Sequence, residues 1–324
     1  MSKAIVISHT GGPEVLEYRD VDIALPGKGE VQIRARAIGV NFIDIYHRTG
    51  LYPQPLPFTP GGEVCGEVVA VGKAVKDFKM GDRVGCATAG RGCYAELVNV
   101  DAARIVRIPR GIADDEAAAM LLKGMTAQYL LRQVYRVAKD DTILVHAAAG
   151  GVGLILCQWA SALGATVIGT VSSPDKAKLA KANGCRHPIV TTQKDFVAEV
   201  QRITKGARVP VVYDSIGAAT FPASLDCLRP RGLFVTFGNS SGPVPPFSPA
   251  MLAQKGSLYM TRPTLFDFVS TPEALRKVAN DLFKVVKSGA VRIAVNQRYA
   301  LKDAAKAQAD LAARKTTGSI VLIP

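Results

Sequence analysis

The sequence predicts an α/β protein of two parts, a small β domain followed by a doubly wound parallel sheet. Over residues 4–108, apolar and polar residues alternate in short runs such as VQIRARAIGV and GEVVAVG, interrupted by glycine and proline. This pattern is typical of a compact β domain. From about residue 111 onward, strand-like apolar segments alternate with segments of helical periodicity. Such repeated βα units indicate a parallel sheet with helices on both faces.

The elements of the second part follow one another in a regular order. Two helices are predicted first, at 113–122 and 126–137. The βα repeat that follows is predicted as strand 143–146, helix 151–163, strand 166–170, helix 175–183, and strands 210–214 and 233–237. The proline- and serine-rich stretch 240–249 indicates a connection. The C-terminal part is predicted to contain helices at 272–288 and 302–314 and to end in the strand SIVLIP.

The glycine turn after strand 143–146 is the most informative motif. Gly150, Gly151 and Gly153 follow the strand directly, and apolar residues then recur at helical spacing. Glycines let the backbone approach a pyrophosphate closely, and the helix that begins there directs its unpaired N–H groups at the phosphates. Ala148 replaces the first glycine of the G-x-G-x-x-G frame, so a tight αβ turn without a ligand is the alternative. We favour a dinucleotide site in a Rossmann domain.

The end of the second strand distinguishes NADPH from NADH. An NAD site places Asp or Glu there to accept a hydrogen bond from the ribose 2′-hydroxyl. This chain has Ser172, Ser173 and Lys176 instead, which suit a 2′-phosphate. Asp175 opposes this interpretation, but it follows Pro174, where an acid in the first helical turn is ordinary. We therefore predict NADPH as the cofactor.

Composition restricts the remaining function classes. The formal net charge is +13, but lysine and arginine never form a run of five, which favours a basic surface over a dedicated nucleic-acid site. Six cysteines without a C-x-x-C pair indicate buried thiols in a reducing compartment. No N-terminal targeting segment and no stretch of ~20 apolar residues is present. We expect a soluble, cytoplasmic protein that does not bind membranes.

Eight segments along the chain carry a resemblance to a known family: HTGGPEVL, NFIDIYHRTGLYP, GGEVCGEVVAVG, GDRV, HAAAGGVG, VVYDSIG, FGNSSG and KGSLYMTRP. Together they resemble the NADPH-dependent quinone oxidoreductases, the zinc-free, zeta-crystallin-related branch of the medium-chain dehydrogenase/reductases. The resemblance implies a GroES-like catalytic domain at 1–124, completed by 266–324, and a Rossmann NADPH-binding domain at 125–265. It also implies a homodimer through the edge of the Rossmann sheet, near the strand before Arg262.

The same resemblance bears on metal binding. Zinc-containing relatives have a cysteine in the loop that matches 41–46, a histidine in a G-H-E motif and four closely spaced cysteines. This chain has Asn41, the motif Gly61-Gly62-Glu63 and no four-cysteine segment. A catalytic zinc needs about three protein ligands, so we predict no metal. Cys65 is the one candidate ligand, and a buried core thiol is the favoured interpretation.

The loop from Asn41 to Tyr52 is the predicted substrate pocket. Asn41 and Asp44 offer polar groups, while Tyr46 and Tyr52 offer aromatic faces for a planar quinone and phenols as donors; simple packing is the alternative for the tyrosines. His47 is expected to be an exposed loop residue. The resemblance places the cofactor-binding residues at Asn41, Phe42, Ile43, Thr126, Tyr129, Gly150, Gly151, Val152, Ser172, Ser173, Lys176, Ser215, Phe237, Gly238, Asn239, Ser240, Pro263, Thr264, Leu265 and Arg314.

Three functions fit these observations. The favoured one is reduction of a quinone by NADPH, because quinone carbonyls accept hydride without a metal. The second is NADPH-dependent reduction of the C=C bond of an enone or alkenal, which the sequence separates poorly from the first. The third is a nucleotide-occupied RNA-binding protein, suggested by the net charge of +13. Salt would distinguish this third function, because phosphate contacts weaken steeply with ionic strength.

Overall fold

The computed structural model describes residues 1–324 and divides into two compact units. The β unit comprises Met1–Met125, Val269–Lys287 and Ile293–Pro324. The parallel-sheet unit comprises Thr126–Phe268 and Ser288–Arg292. The α/β class, with a β domain and a doubly wound parallel sheet, is confirmed.

The β unit begins with a mostly antiparallel segment. Its elements are β1 (Ser2–Val6), β2 (Glu17–Val21), β3 (Glu30–Val40), α1 (Phe42–Thr49), β4 (Glu63–Val71), β5 (Arg83–Cys86), β6 (Leu97–Asp101), β7 (Ile105–Arg107) and most of α2 (Asp114–Tyr129), whose residues from Thr126 onward belong to the parallel-sheet unit. The long strand β3 pairs antiparallel with both β4 and β6. Its Arg34 and Arg36 are exposed while Ile33 and Ala35 are buried, as strand alternation requires. The buried side chains form the core of this unit.

The parallel-sheet unit alternates strands with helices. Its elements are β8 (Thr142–Val145), α3 (Gly151–Ala162), β9 (Thr166–Val171), α4 (Pro174–Ala182), β10 (Cys185–Val190), α5 (Phe196–Ile203), β11 (Val209–Asp214), β12 (Leu228–Thr236), α6 (Ala250–Gln254), β13 (Tyr259–Thr261) and α7 (Leu265–Phe268). The strands lie in the order β10-β9-β8-β11-β12-β13, and all neighbours are parallel. The order reverses between β8 and β11, the point at which doubly wound sheets bind their ligands.

The C-terminal segment completes the β unit. It contains α8 (Pro272–Lys287), β14 (Val295–Ala300), α9 (Ala304–Ala312) and β15 (Ser319–Ile323). The main sheet of this unit has the order β14-β15-β3-β4-β5-β7, because β15 adds antiparallel to the end of β3 that precedes α1. None of the helices combines the length and apolarity that crossing a membrane requires.

Two sequence predictions for helices were wrong. The helices predicted at 113–122 and 126–137 are one α-helix, α2, which ends in a π-helical turn at Leu130–Val134. Gly124 suggests a break between them, but a Cβ at this position would lie 2.4 Å from Leu282 Cδ1. Gly124 therefore permits close packing of α8 and does not end the helix. The loop predicted at 41–52 contains helix α1.

Replacement of Gly153 by alanine tests the packing at the glycine turn. A Cβ there would lie 2.2 Å from the Ala147 carbonyl oxygen, in backbone that cannot move freely. Alanine favours helices over glycine by about 1 kcal/mol, so helix propensity alone predicts stabilisation. We expect the clash to prevail and Gly153→Ala to lower the free energy of unfolding by about 1–3 kcal/mol, measured by chemical denaturation. Gly29→Ala, whose Cβ meets nothing within 4 Å, is the control, and equal stability of the two variants would contradict this.

Candidate functional site

Helix α1 positions the residues predicted to face the substrate. Asn41 is its N-cap residue in an extended conformation, and the Asn41 backbone N–H donates to Asp44 Oδ2 at 2.9 Å. Gly50 ends the helix with φ 79°, in the left-handed region. An Asn N-cap, an acid three residues later and a following glycine are helix signals that the sequence contains. These signals could have identified α1.

A buried cluster of three polar side chains surrounds the start of α1; we call Asn41, Glu63 and Lys123 the Asn41 cluster. Asn41 Nδ2 donates to Glu63 Oε2 at 2.8 Å, and Lys123 Nζ donates to Asn41 Oδ1 at 2.7 Å. Lys123 Nζ lies 3.5 Å from Glu63 Oε2, and the Lys123 and Glu63 side chains are 8% and 0% exposed. Both ends of the Asn41 amide are therefore held by charged groups, which fixes its orientation.

Gly39 makes room for the carboxylate of this cluster. A Cβ at position 39 would lie 2.1 Å from Glu63 Oε2 and 2.4 Å from the Ala118 carbonyl oxygen. Glu63 Oε1 accepts a hydrogen bond from the Leu122 backbone N–H at 2.8 Å. The carboxylate thus ties β4 to α2 and to the residue that begins α1.

Asp44 is fully buried within the β unit. Tyr94 Oη donates to Asp44 Oδ2 at 3.0 Å, the same oxygen that accepts from the Asn41 N–H. Burial raises the pKa of Asp44 to about 7, although these hydrogen bonds and the Lys123 charge oppose the shift. The sequence assigned Asp44 to the substrate pocket as a polar contact. The geometry instead supports a role in fixing the start of α1.

Tyr46 and Tyr52 lie side by side. Their ring centroids are 5.2 Å apart in an edge-to-face arrangement, and the Tyr52 N–H donates to the Tyr46 carbonyl at 3.0 Å. The Phe42 ring lies 6.2 Å from Tyr46. Phe42, Ile43 and Tyr52 are partly exposed, whereas Tyr46 is buried. The structure therefore brings these residues of the predicted pocket together on and after α1.

His47 was expected to be an exposed loop residue, and this was wrong. It is 6% exposed because α1 turns its ring inward. Burial lowers the pKa of His47, and the positive charge of Arg91 lowers it further. A neutral imidazole at physiological pH follows.

The glycine turn of the parallel-sheet unit forms the N-terminus of α3. Gly150 is the N-cap residue, Gly151 and Val152 begin the helix, and its first turn contains no acid. The first N–H groups of a helix have no partner within it and carry partial positive charge. A Cβ on Gly153 would fill the turn itself. The residues present fit a dinucleotide pyrophosphate.

The predicted 2′-phosphate residues lie together at the end of β9. Ser173 caps α4, and its Oγ accepts from the Lys176 backbone N–H at 3.3 Å. Ser172 is exposed, and Lys176 lies in the first turn of α4. Asp175, the residue that opposed an NADPH site, has a side chain 92% exposed that pairs with Lys178. Its position is that of an ordinary first-turn acid.

Two further predicted segments meet at the carboxyl ends of β11 and β12. The Ser240 N–H donates to the Ser215 carbonyl at 3.2 Å, and a Cβ on Gly238 would lie 2.6 Å from that same oxygen. Phe237 and Asn239 belong to the same loop. Because β8, β9, β11 and β12 are parallel, these loops and the glycine turn share one edge of the sheet.

The remaining predicted residues are more dispersed. Tyr129 stacks on Phe268 with centroids 4.4 Å apart, and Thr126 is buried one turn earlier in α2. Pro263 and Thr264 follow the edge strand β13, and Leu265 begins α7. Arg314 belongs to the β unit, directly after α9.

Two buried residues, Lys123 and His146, were not predicted from the sequence. Lys123 is the single charged residue in the apolar run AAAMLLKGM, and a buried lysine is rare without a partner. The lone lysine in an apolar helical run was a signal in the sequence for a buried, partnered charge. His146 lies beneath the glycine turn, with Nδ1 2.8 Å from Thr170 Oγ1 and Nε2 2.9 Å from Ser224 Oγ. Burial lowers the pKa of His146, so a neutral ring links the ends of β8 and β9 to the segment before β12.

All six cysteines are buried and free of disulfide bonds. No group of three or more His, Cys, Asp or Glu side chains is arranged to hold an ion. Cys65 Sγ lies 3.6 Å from Asp114 Oδ1, and burial together with that carboxylate raises the pKa of the thiol. Cys65 is therefore a protonated core thiol, the interpretation favoured from the sequence.

Comparison with known proteins agrees with this geometry. Residues 27–110 match the family of alcohol dehydrogenase GroES-like domains, and residues 151–280 match the zinc-binding dehydrogenases. Quinone oxidoreductase of Pseudomonas aeruginosa is 54% identical over 325 residues, covering 100% of both chains. The 2-haloacrylate reductase of a Burkholderia species is 42% identical over 332 residues, covering 100% of this chain and 99% of that protein.

A solved structure extends the similarity to the fold. The crystal structure of Escherichia coli quinone oxidoreductase complexed with NADPH is 47% identical and superimposes with a TM-score of 0.98, covering 99% of this chain and 100% of that chain. The chain therefore belongs to the quinone oxidoreductase family of the medium-chain dehydrogenase/reductases. The resemblance inferred from the eight sequence segments is confirmed.

Asp44→Asn tests the buried carboxylate through the pH dependence of stability. The native state holds a proton on Asp44 that the unfolded chain releases, because burial raises the pKa of this group from 3.8 to about 7. The contribution of Asp44 to the free energy of unfolding should therefore decrease as the pH rises from about 4 to about 7. We expect the free energy of unfolding of the wild type, measured by urea denaturation, to decrease by about 4 kcal/mol relative to that of Asp44→Asn over this pH range.

The exposed Asp22→Asn variant controls for the loss of one carboxylate. A stability difference between the wild type and Asp44→Asn that does not vary with pH would contradict the assignment.

Proposed function

We propose that this protein is an NADPH-dependent quinone reductase that transfers hydride to a quinone without a metal ion. The main support is the combination of two features at the carboxyl ends of the parallel strands. The helix that begins at the glycine turn has no acid in its first turn, and a group of serines and a lysine lies at the end of β9. Similarity over the full chain to quinone oxidoreductases, one of them solved with NADPH, supports the same conclusion.

The parallel-sheet unit would hold the cofactor. The N-terminus of α3 suits the pyrophosphate, and Ser172, Ser173 and Lys176 suit the 2′-phosphate, where a lysine offers a charge-assisted hydrogen bond. The loops that contain Ser215 and Ser240 lie at the same sheet edge and would hold the nicotinamide half. Bound NADPH supplies the hydride, two electrons and one hydrogen, that a quinone needs together with one proton to become a hydroquinone.

Helix α1 and the residues around it would hold the quinone. Phe42, Tyr46 and Tyr52 offer aromatic edges and faces for a planar ring. The Asn41 amide offers a donor to a quinone oxygen, on which negative charge develops as hydride arrives. In this proposal Asp44 keeps α1 in place and does not contact the substrate. Water or a tyrosine hydroxyl would supply the proton.

The assembly and location of the protein are part of the proposal. β13 is an edge strand with one unpaired side, and Tyr259 on it is 61% exposed, which supports a homodimer formed at this edge. All six cysteines are buried and unpaired, which suits the reducing cytoplasm. The β unit would be the catalytic domain and the parallel-sheet unit the NADPH-binding domain.

Reduction of an activated C=C bond is a second candidate. The 42% identity to a 2-haloacrylate reductase favours it specifically. A 2-haloacrylate is a carboxylate-bearing alkene, whereas an enone or alkenal presents an uncharged carbonyl. The hydride donor would be the same in both reactions.

Steady-state oxidation of NADPH and NADH, with a small para-quinone and with an α,β-unsaturated ketone, tests the proposal. We expect fast turnover with NADPH and the quinone. Turnover with the enone alone would transfer the assignment to alkene reduction. Absence of turnover with both acceptors would contradict the proposed function.

Charge reversal at Lys176 tests the 2′-phosphate site. If Lys176 binds this phosphate, Lys176→Glu should raise the KM for NADPH about 10- to 100-fold and leave the KM for NADH nearly unchanged. Lys178→Glu is the matched control, because it reverses the charge of another lysine on the same helix. The Lys178 side chain is 82% exposed and pairs with Asp175. Equal effects of Lys176→Glu on both cofactors would place the phosphate elsewhere.

A further inference from the structure

The Asn41 cluster contains an ion pair that the proposed reaction does not yet use. Lys123 Nζ donates to Asn41 Oδ1 at 2.7 Å and to the Val40 carbonyl at 3.3 Å, and Glu63 lies 3.5 Å away. Both charged side chains are almost completely removed from solvent. Because desolvation offsets most of the attraction within such a pair, a buried ion pair is a weak source of stability. Stability alone therefore does not explain why the Lys123–Glu63 pair lies around the Asn41 amide.

Lys123 polarises the Asn41 amide, and Glu63 fixes its orientation. An ammonium at Oδ1 withdraws electron density from the carbonyl, and this makes the amide N–H groups stronger donors. Nδ2 has two N–H groups, and the protein uses one of them, on Glu63 Oε2. The other N–H has no hydrogen-bond partner in the structure. Asn41 is 5% exposed, so a small part of its surface reaches the solvent.

We propose that Glu63 and Lys123 are positioning residues: Glu63 orients the Asn41 amide, and Lys123 polarises it and offsets the Glu63 charge, so that the second N–H of Asn41 stabilises the oxyanion formed on the acceptor. This inference rests on the proposed function, since the oxyanion arises when hydride reaches the quinone. The Asn41 N–H stabilises the negative charge directly, and Lys123 stabilises it indirectly by polarising the Asn41 amide. Protonation of the oxyanion then gives the hydroquinone. No electron enters or leaves the cluster.

A purely structural role for the cluster makes a different prediction. Loss of structure would reduce stability and would affect every acceptor to the same extent. Loss of polarisation would affect anionic ligands more than neutral ones and electron-rich quinones more than electron-poor ones, because electron-rich quinones form the more basic oxyanion. Selectivity among ligands, not the mean loss of activity, therefore distinguishes the two roles.

The first measurement is equilibrium binding of para-nitrophenolate and of para-nitroanisole to the NADP⁺-saturated protein. The phenolate carries the negative oxygen, and the anisole has the same ring without charge. We expect Lys123→Gln to weaken binding of the phenolate about 10- to 100-fold, while binding of the anisole changes less than about threefold. Lys123→Arg, which retains the charge, should restore most of the phenolate affinity.

The second measurement is the single-turnover rate of NADPH oxidation with a series of substituted para-benzoquinones. Lys123→Gln should lower this rate about 10- to 100-fold, with the larger losses for electron-rich quinones. Ser319→Ala is the matched control, because Ser319 Oγ donates to the Ala119 carbonyl of the same helix α2 at 3.0 Å without touching the cluster. The double variant Lys123→Gln/Glu63→Gln removes both buried charges, so it tests polarisation even if the single variant folds poorly.

Equal losses for the phenolate and the anisole, or equal rates of Lys123→Gln and Lys123→Arg, would overturn the inference. Wild-type protein that binds the phenolate selectively through Lys123 but does not oxidise NADPH with any quinone would leave the oxyanion site intact and contradict the proposed function instead. The two failures are thus distinguishable.

Discussion

The burial of the Glu63 carboxylate is the constraint on which the candidate acceptor site depends. A carboxylate without solvent must have hydrogen-bond donors, since an unpaired buried charge is strongly unfavourable. Here the donors are the Leu122 N–H and the Asn41 amide, and Gly39 leaves the space that the carboxylate occupies. Because these donors come from α2 and from the first residue before α1, the carboxylate fixes where α1 begins. The direction of α1 then sets the positions of Tyr46 and Tyr52.

A separate constraint operates in the parallel-sheet unit. The strand order reverses between β8 and β11, and doubly wound sheets bind their ligands at the carboxyl ends of the strands beside such a reversal. Polar contacts beneath these strand ends keep the loops in place: His146 joins Thr170 to Ser224, and Asp214 Oδ2 accepts from Thr220 Oγ1. Since burial lowers the pKa of His146, this support remains uncharged at neutral pH. The first turn of α3, which begins at this end of the sheet, contains no acid and is suited to an anionic cofactor.

The sequence predicted the elements whose pattern is local and missed those that depend on tertiary context. The strands 143–146 and 166–170 and the glycine turn were identified because continuous apolar runs and glycines carry their own signal. β10 was missed because CRHPIV is polar and contains a proline, which an edge strand tolerates. The break predicted near Gly124 failed because that glycine serves contact with α8. The Asn41 cluster could be predicted only in part, since Lys123 is 82 residues from its partner Asn41.

The central claim is that the protein transfers hydride directly from NADPH to a quinone. The most direct measurement is the primary isotope effect on single-turnover quinone reduction, with NADPH that carries deuterium at C4 in each of the two stereochemical positions. We expect a slower reaction for one position and a rate near that of unlabelled NADPH for the other. The deuterium from the reactive position should be recovered in the hydroquinone or in solvent. Equal rates for both labelled forms and unlabelled NADPH, with chemistry shown to limit the rate, would contradict direct hydride transfer.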